Sequence, residues 1–403
     1  MEPGLRSAFN AAYGPHVHDY VTREMARRHG LDGFSFRLAE TPVLLSHRIR
    51  DACEAAAREI VEEMSRAAVI SHGGERIPDR YRVPATDVLP HMAVVDFALC
   101  SGPGGEIVPR LIEAQGFPSL YAMQVIQGDV WAEALAGMPG LPREWSWFFS
   151  GLSRDEYLAL LRRTVVGDAD PDQVVLLDIV PEKQKTRADF IATEKFLGVR
   201  AACVTALVRE GRKLFVPREG KLVPVKRIYN RVVFDELEAM GIVPPFDWRE
   251  RLDVTWVPHP NWYWIWSKAT IPRLSHSAVP RAEFLSDVDL ASIDLSRRVL
   301  KPLFSFAGRG VVIDVTRETI DAIPEKSRRD WLLMEKVEYA PKLLTPSGVG
   351  VKVEIRVLLL RPDGEDALVP AINLCRLSRA KMHGVDHNKD LDWVGSSIGV
   401  VSR

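Results

Sequence analysis

Val299-Leu300-Lys301-Pro302-Leu303-Phe304-Ser305-Phe306-Ala307-Gly308-Arg309-Gly310-Val311-Val312 reads as a strand with an inward lysine, a turn with two glycines one residue apart, and a second apolar strand. Glycines at that spacing let main-chain N–H groups wrap an anion, and a lysine on the preceding strand can neutralise a phosphate as a point charge. Two strands joined by a glycine turn differ from the strand-to-helix phosphate loop. A plain β-hairpin accounts for the same glycines, so the surroundings have to decide.

The 403 residues predict two or three domains and a sizeable core. A formal net charge of -1 leaves no global field to attract nucleic acid or an acidic membrane. Cys53, Cys100, Cys203 and Cys375 lie far apart with no CxxC pair, which argues against a zinc site or a disulfide framework. They read as small hydrophobes in a reducing compartment. Neither a signal peptide nor an apolar run of about 18 residues is visible. The expectation is a soluble, cytoplasmic chain.

Residues 1–80 read as mostly helical. Ser46 to Ala68 carries Ile49, Cys53, Ala56, Ile60, Val61 and Met64 at helical spacing, and His72 to Pro78 breaks the pattern. His91–Leu99 and Ile107–Ala114 read as a hairpin around a glycine-rich turn, and 120–165 as helices. From Gln173 the style changes. A continuous apolar strand (Val174–Ile179), a helix (Thr186–Leu197) and a strand (Ala201–Thr205) predict a small parallel sheet, to which Lys221–Val233 adds further strand. From about 245, hairpins alternate with helices. The boundaries so read are 1–80, 81–170, 171–245, 246–340 and 341–403.

Five constellations could carry chemistry. On the hairpin, Asp96 sits on one strand, and Glu113 and Gln115, two apart on the next, point to one face. Their hard oxygens suit Mg²⁺; a wet hairpin face is the alternative. Lys268 follows Trp262-Tyr263-Trp264-Ile265-Trp266, read as an aromatic strand, and opens a helix. Trp331 to Val337 is an apolar strand whose end, at Glu335, Lys336 and Val337, offers main-chain groups to a purine edge; a buried strand meeting a charged turn explains it equally. Glu354 and Arg356 share one face of an apolar strand, so the guanidinium needs a partner, either Glu354 or a phosphate. Finally, Arg227, Tyr229 and Arg231 alternate, which would aim two cations at one side or mark a solvated edge strand.

Taken in order, these pieces resemble an ATP-grasp enzyme, in the permuted branch that includes the synthetase domain of glutathionylspermidine synthetase. The resemblance covers roughly 85–125 and 225–403. It implies an α/β, ATP-grasp fold with permuted motif order, a small parallel α/β pre-ATP-grasp domain and a helical N-terminal region. The family's metal motif, an Asp followed by Glu-x-Asn on the next strand, falls on Asp96, Glu113 and Gln115, with Gln replacing Asn. Its two ATP lysines fall on Lys268 and Lys301, its lid turn on Ser305, Gly308, Arg309 and Gly310, its adenine hinge on Glu335, Lys336 and Val337, and its catalytic arginine on Arg356. Val94 stands where the family has an arginine, a contact then missing or supplied by Arg376 or Arg379. Arg227 or Arg231 is expected to hold an acidic co-substrate.

The activity so implied is an ATP- and Mg²⁺-dependent carboxylate–amine ligase working through an acyl phosphate. Its partners would be a small acid and a small amine, without nucleic acid or membrane, in a monomer or homodimer. A kinase-like phosphotransferase, or an ATP-binding regulatory protein with a degenerate site, are the alternatives.

Overall fold

On the strand Gly350–Leu360, Val351, Val353, Ile355 and Val357 are fully buried and alternate with Lys352, Glu354 and Arg356. Successive side chains of a strand point to opposite faces, so one face of this strand is core and the other carries charge. In the computed structural model, which describes residues 2–304, 310–380, 388 and 390–403, this strand lies at the centre of a six-stranded antiparallel sheet. Its main order is Gly395–Ser397, Val369–Ser378, Gly350–Leu360, Met92–Ser101, Ile107–Gln115, and Leu343–Leu344 pairs with the start of Gly350–Leu360. The hairpin expected around residues 91–114 is thus present and supplies the last two strands.

Helix His47–Met64 covers part of this sheet, burying Ile49, Cys53, Ala56, Ile60 and Met64. Ser46 caps it, its hydroxyl accepting from the Ile49 N–H at 3.3 Å. The helix expected to run to Ala68 ends at Met64, and a separate helix, Ala67–Gly74, runs through the glycines expected to break it. Ser65 makes the difference: its hydroxyl bonds back to the Val61 carbonyl at 2.7 Å and closes the first helix early.

The second sheet is wholly parallel, in the order Thr255–Val257, Arg227–Asn230, Val174–Asp178, Arg200–Cys203. Val174 to Leu177 are 0% exposed, which is why that run shows no alternation. Its fourth strand comes from beyond residue 245. Between its members the chain makes an antiparallel meander, Val208–Glu210, Lys213–Arg218 and Lys221–Pro224, so Lys221–Val233 is not one strand but is divided between two sheets. Arg227–Asn230 is an interior strand, which removes the solvated-edge reading of Arg227 and Arg231.

A third sheet, Ala282–Phe284, Trp331–Glu335 and Arg298–Pro302, is antiparallel and has its own small core of Leu285, Leu300, Val315, Ile320, Ile323 and Leu333. The strand carrying Lys301 is as expected. Its return strand shrinks to one bridge, Leu300 opposite Val312. Gly310 takes a φ of 76°, the left-handed conformation that favours glycine. Ser305, Gly308 and Arg309 lie outside the described residues.

One element is the opposite of its expectation. Trp262–Ile265 is a helical turn, not a strand, and Lys268–Arg273 continues as a 3₁₀ helix. Five aromatic and aliphatic residues are too short a window to show a period when every one is buried. Tertiary packing chooses the helix: Trp262 and Trp266, four apart, stack edge to face at 5.3 Å. No described helix is long and apolar enough to cross a membrane, and all four cysteines are free.

Candidate functional site

The charged face of the central sheet gathers the hairpin, the late strands and two lysines. Cross-strand register places Arg356 directly opposite Asp96, Asp96 opposite Glu113, and Glu354 opposite Arg376. The register of the hairpin slips by one between Asp96 and Phe97, leaving Ile112 as the extra residue. That bulge turns Glu113 to the same face as Asp96 and leaves the Ile112 carbonyl unpaired in the ladder. Lys301 takes it, donating from Nζ at 2.9 Å. Lys268 Nζ lies 3.2 Å from Glu113 Oε2, so both lysines end beside consecutive residues of one strand.

Gly116 makes this approach possible. Its N–H donates to the Trp266 carbonyl at 3.0 Å, and a Cβ there would fall 2.8 Å from the Trp262 carbonyl oxygen. The aromatic turn therefore lies directly against the strand end, which sets Lys268, two residues on, beside Glu113.

Asp96 is fully buried and bound by two guanidinia. Arg356 donates from Nε to Oδ1 and from Nη2 to Oδ2, each at 2.5 Å, and Arg376 Nη2 reaches Oδ2 at 2.6 Å. Such bidentate, charge-assisted contacts are the strong kind. Arg356 also donates to Ser119 Oγ at 2.9 Å, and Arg376 pairs with Glu354, whose other oxygen accepts from Tyr339 at 3.1 Å. The partner of Arg356 is therefore Asp96 rather than Glu354. Of the two arginines weighed as substitutes for the one missing at Val94, Arg376 joins this cluster and Arg379 pairs with Asp392 instead.

Counting ionised groups gives three carboxylates (Asp96, Glu113, Glu354) against four cations (Lys268, Lys301, Arg356, Arg376). The surplus is positive, so the site favours an anion. Burial opposes charge on Glu113, yet Lys268, Arg356, Arg376 and Lys301 overrule it and hold the carboxyl at about 2. Burial likewise pulls the Lys301 ammonium down to about 8, with Lys268 adding to the effect and Glu113 resisting it.

A phosphate chain fits these residues, because two lysines and two arginines gather on one face of the sheet and lack enough carboxylate to neutralise them. For the purine end, the N–H groups of Glu335 and Lys336 are used by the Arg281 and Arg297 carbonyls, each at 2.8 Å. The Val337 N–H makes no backbone hydrogen bond among the described residues. Magnesium fits in part. Glu113 is partly exposed, and Gln115 lines a small cavity with Lys268, Tyr263 and Phe117; one carboxylate with an amide oxygen suffices when phosphate and water complete the shell. Asp96 could ligate only by giving up an arginine. No group of three His, Cys, Asp or Glu side chains among the described residues is placed to hold a metal.

Arg227 and Arg231 do not join this cluster. Arg227 donates to Asp363 at 2.6 Å and to the carbonyls of Val165 and Thr164. Arg231 is buried against Asp189 at 2.8 Å and also donates to the Ser119 carbonyl. Ser119 thus links the parallel sheet to Arg356. A serine in a Gly-Phe-Pro-Ser loop carries no sequence signal for that role, and neither does a bulge carbonyl.

No family model matches the chain, and no curated protein matches its sequence. Its fold is similar to the solved structure of a glutathione synthetase-like effector, GSS30, from Globodera pallida in its apo form. The match covers 97% of this chain and 98% of that one, with a TM-score of 0.57 and 11% identity. At that identity the likeness is one of fold: the chain has a glutathione synthetase-like α/β fold.

Proposed function

We propose that the chain is an ATP-dependent carboxylate–amine ligase of the permuted ATP-grasp kind. One observation carries the reading: Lys268, Lys301, Arg356 and Arg376, from four separate elements, converge on the hairpin that bears Asp96 and Glu113. The Val337 N–H would receive the adenine edge, and Lys268 and Lys301 the phosphates. Glu113 and Gln115 would hold Mg²⁺, which when bound would draw charge from the phosphate oxygens.

The chemistry then needs no protein nucleophile. A substrate carboxylate oxygen attacks the γ-phosphorus, the bond to the bridging oxygen breaks, and ADP leaves. An amine attacks the resulting acyl phosphate, loses a proton, and expels phosphate. Transfer of this kind depends on positioning and charge neutralisation. Arg356, held rigid by Asp96 and Ser119, would steady the charge on the transferred phosphoryl group. Its substrates in this reading are a small acid and a small amine.

A specific observation favours a second reading. Asp96, the motif's first metal position, is already neutralised by two arginines, as suits an ATP-binding protein with a degenerate site. A thermal-shift screen with ATP–Mg²⁺ plus amino acids, polyamines and small peptides, followed by nucleotide analysis, tests both. A ligase yields ADP and phosphate only when acid and amine are both present. A phosphotransferase forms ADP without the amine. A regulatory protein binds ATP and turns over with no combination.

A further inference from the structure

Away from the cleft, on the helix Pro3–Ala12, Arg6 is 5% exposed and has no counter-charge. It donates to Thr41 Oγ1 at 2.7 Å and to Asn10 Oδ1 at 3.0 and 2.6 Å, all neutral acceptors, and its guanidinium lies 4.4 Å from the centre of the Phe9 ring. Among the described residues no carboxylate comes within ion-pair distance of it. Of the other buried arginines, Arg227 and Arg231 face Asp363 and Asp189; Arg361, like Arg6, has only neutral acceptors, the carbonyls of Leu89, Pro90 and Glu365, but it does not line the cleft that Arg6 lines. A buried charge without a partner is costly, and three hydrogen bonds leave two of the five guanidinium N–H groups unused.

Arg6 also lines an open cleft of about 620 Å³. The amino ends of two helices, Pro3–Ala12 and His47–Met64, open onto it, each carrying partial positive charge. Arg48 and Lys342 stand on its exposed rim against Glu2 and Glu106, so cations outnumber acids. Ile107 and Leu344, the latter 46% exposed, give it an apolar wall.

We infer that this cleft binds a small organic anion, its carboxylate or phosphate seated on Arg6 and its apolar body against Ile107 and Leu344. The site is independent of the nucleotide cleft and stands whether or not the chain is a ligase. Arg6 is retained at a cost to stability because the ligand supplies the missing counter-charge.

Calorimetric titration of the full chain with benzoate, phenyl phosphate and inorganic phosphate tests this. Binding of benzoate or phenyl phosphate, at least tenfold tighter than inorganic phosphate, is expected, and which of the two prevails identifies the head group. Arg6→Met, which keeps the apolar stem, should weaken that binding at least tenfold, leave ATP binding unchanged, and hold or raise the melting temperature. Leu344→Asp, at an exposed position, should weaken the aryl anion without altering the melting temperature. The inference is overturned if neither aryl anion binds the wild type, if inorganic phosphate binds as well as both, or if Arg6→Met binds like the wild type. A clear drop in melting temperature for Arg6→Met without loss of binding would make Arg6 a packing residue and equally overturn it.

Discussion

Raising the pH should weaken nucleotide binding through a single residue, Lys301. Its ammonium is buried beside Lys268, burial outweighs the opposing pull of Glu113, Glu354 and Asp96, and it titrates at about 8. A phosphate chain needs the charged form. At about pH 7.5 roughly three quarters of the protein is competent, and at about pH 9.5 roughly 3%, so affinity should fall by roughly 25-fold across that range. The limiting slope is tenfold per pH unit, or about 1.4 kcal/mol. Nucleotide phosphate groups titrate near about 6 and so stay fully ionised throughout. Calorimetry of ATP–Mg²⁺ in two buffers of different ionisation enthalpy measures both quantities: at about pH 8 close to half a proton should be taken up per ATP bound. Lys301→Arg keeps its charge and should flatten the profile. A flat wild-type profile, or an unchanged slope in Lys301→Arg, would refute the placement of this ammonium on the phosphates. The same depression affects folding with the opposite sign: between about pH 8 and 10.5 the unfolded lysine holds a proton the native one has lost, so this residue's contribution to stability rises with pH.

Glu113→Gln should raise the Mg²⁺ concentration needed for ATP binding at least tenfold, whereas Asp96→Asn should leave that requirement nearly unchanged and instead lower stability by about 3–5 kcal/mol, since Arg356 loses its bidentate counter-charge and Arg376 keeps only Glu354; urea melts and Mg²⁺ titrations separate the two. Asp189→Ala should cost a similar about 3–5 kcal/mol, because it strands Arg231 and uncouples the Ala122 and Met123 N–H groups that Asp189 accepts at 2.8 and 2.9 Å. Gly116→Ala should destabilise by about 1–3 kcal/mol and also weaken ATP, by pushing the Trp262 carbonyl and hence Lys268 away from the strand; an unchanged melting temperature would show that the contact yields freely.

Composition and period alone were enough for the elements whose two faces differ. The hairpin at residues 92–115, the parallel unit at Val174–Asp178 and Arg200–Cys203, and the strand holding Lys301 all announce themselves by alternation or by unbroken apolarity. The residue types of the cluster were legible too, since Asp96, Glu113, Lys268, Lys301 and Arg356 stand out as charge on otherwise apolar elements. Their pairing was not. Arg356 answers to Asp96, 260 positions away, because strand register and not sequence proximity decides which side chains face each other. The Ile112 bulge, the Ser119 link and the helical turn at Trp262 depend on contacts between distant segments, and a five-residue window in which everything is buried holds no period to read. Whether a carboxylate is a metal ligand or an arginine's counter-ion is likewise settled only by how many cations the fold brings to it.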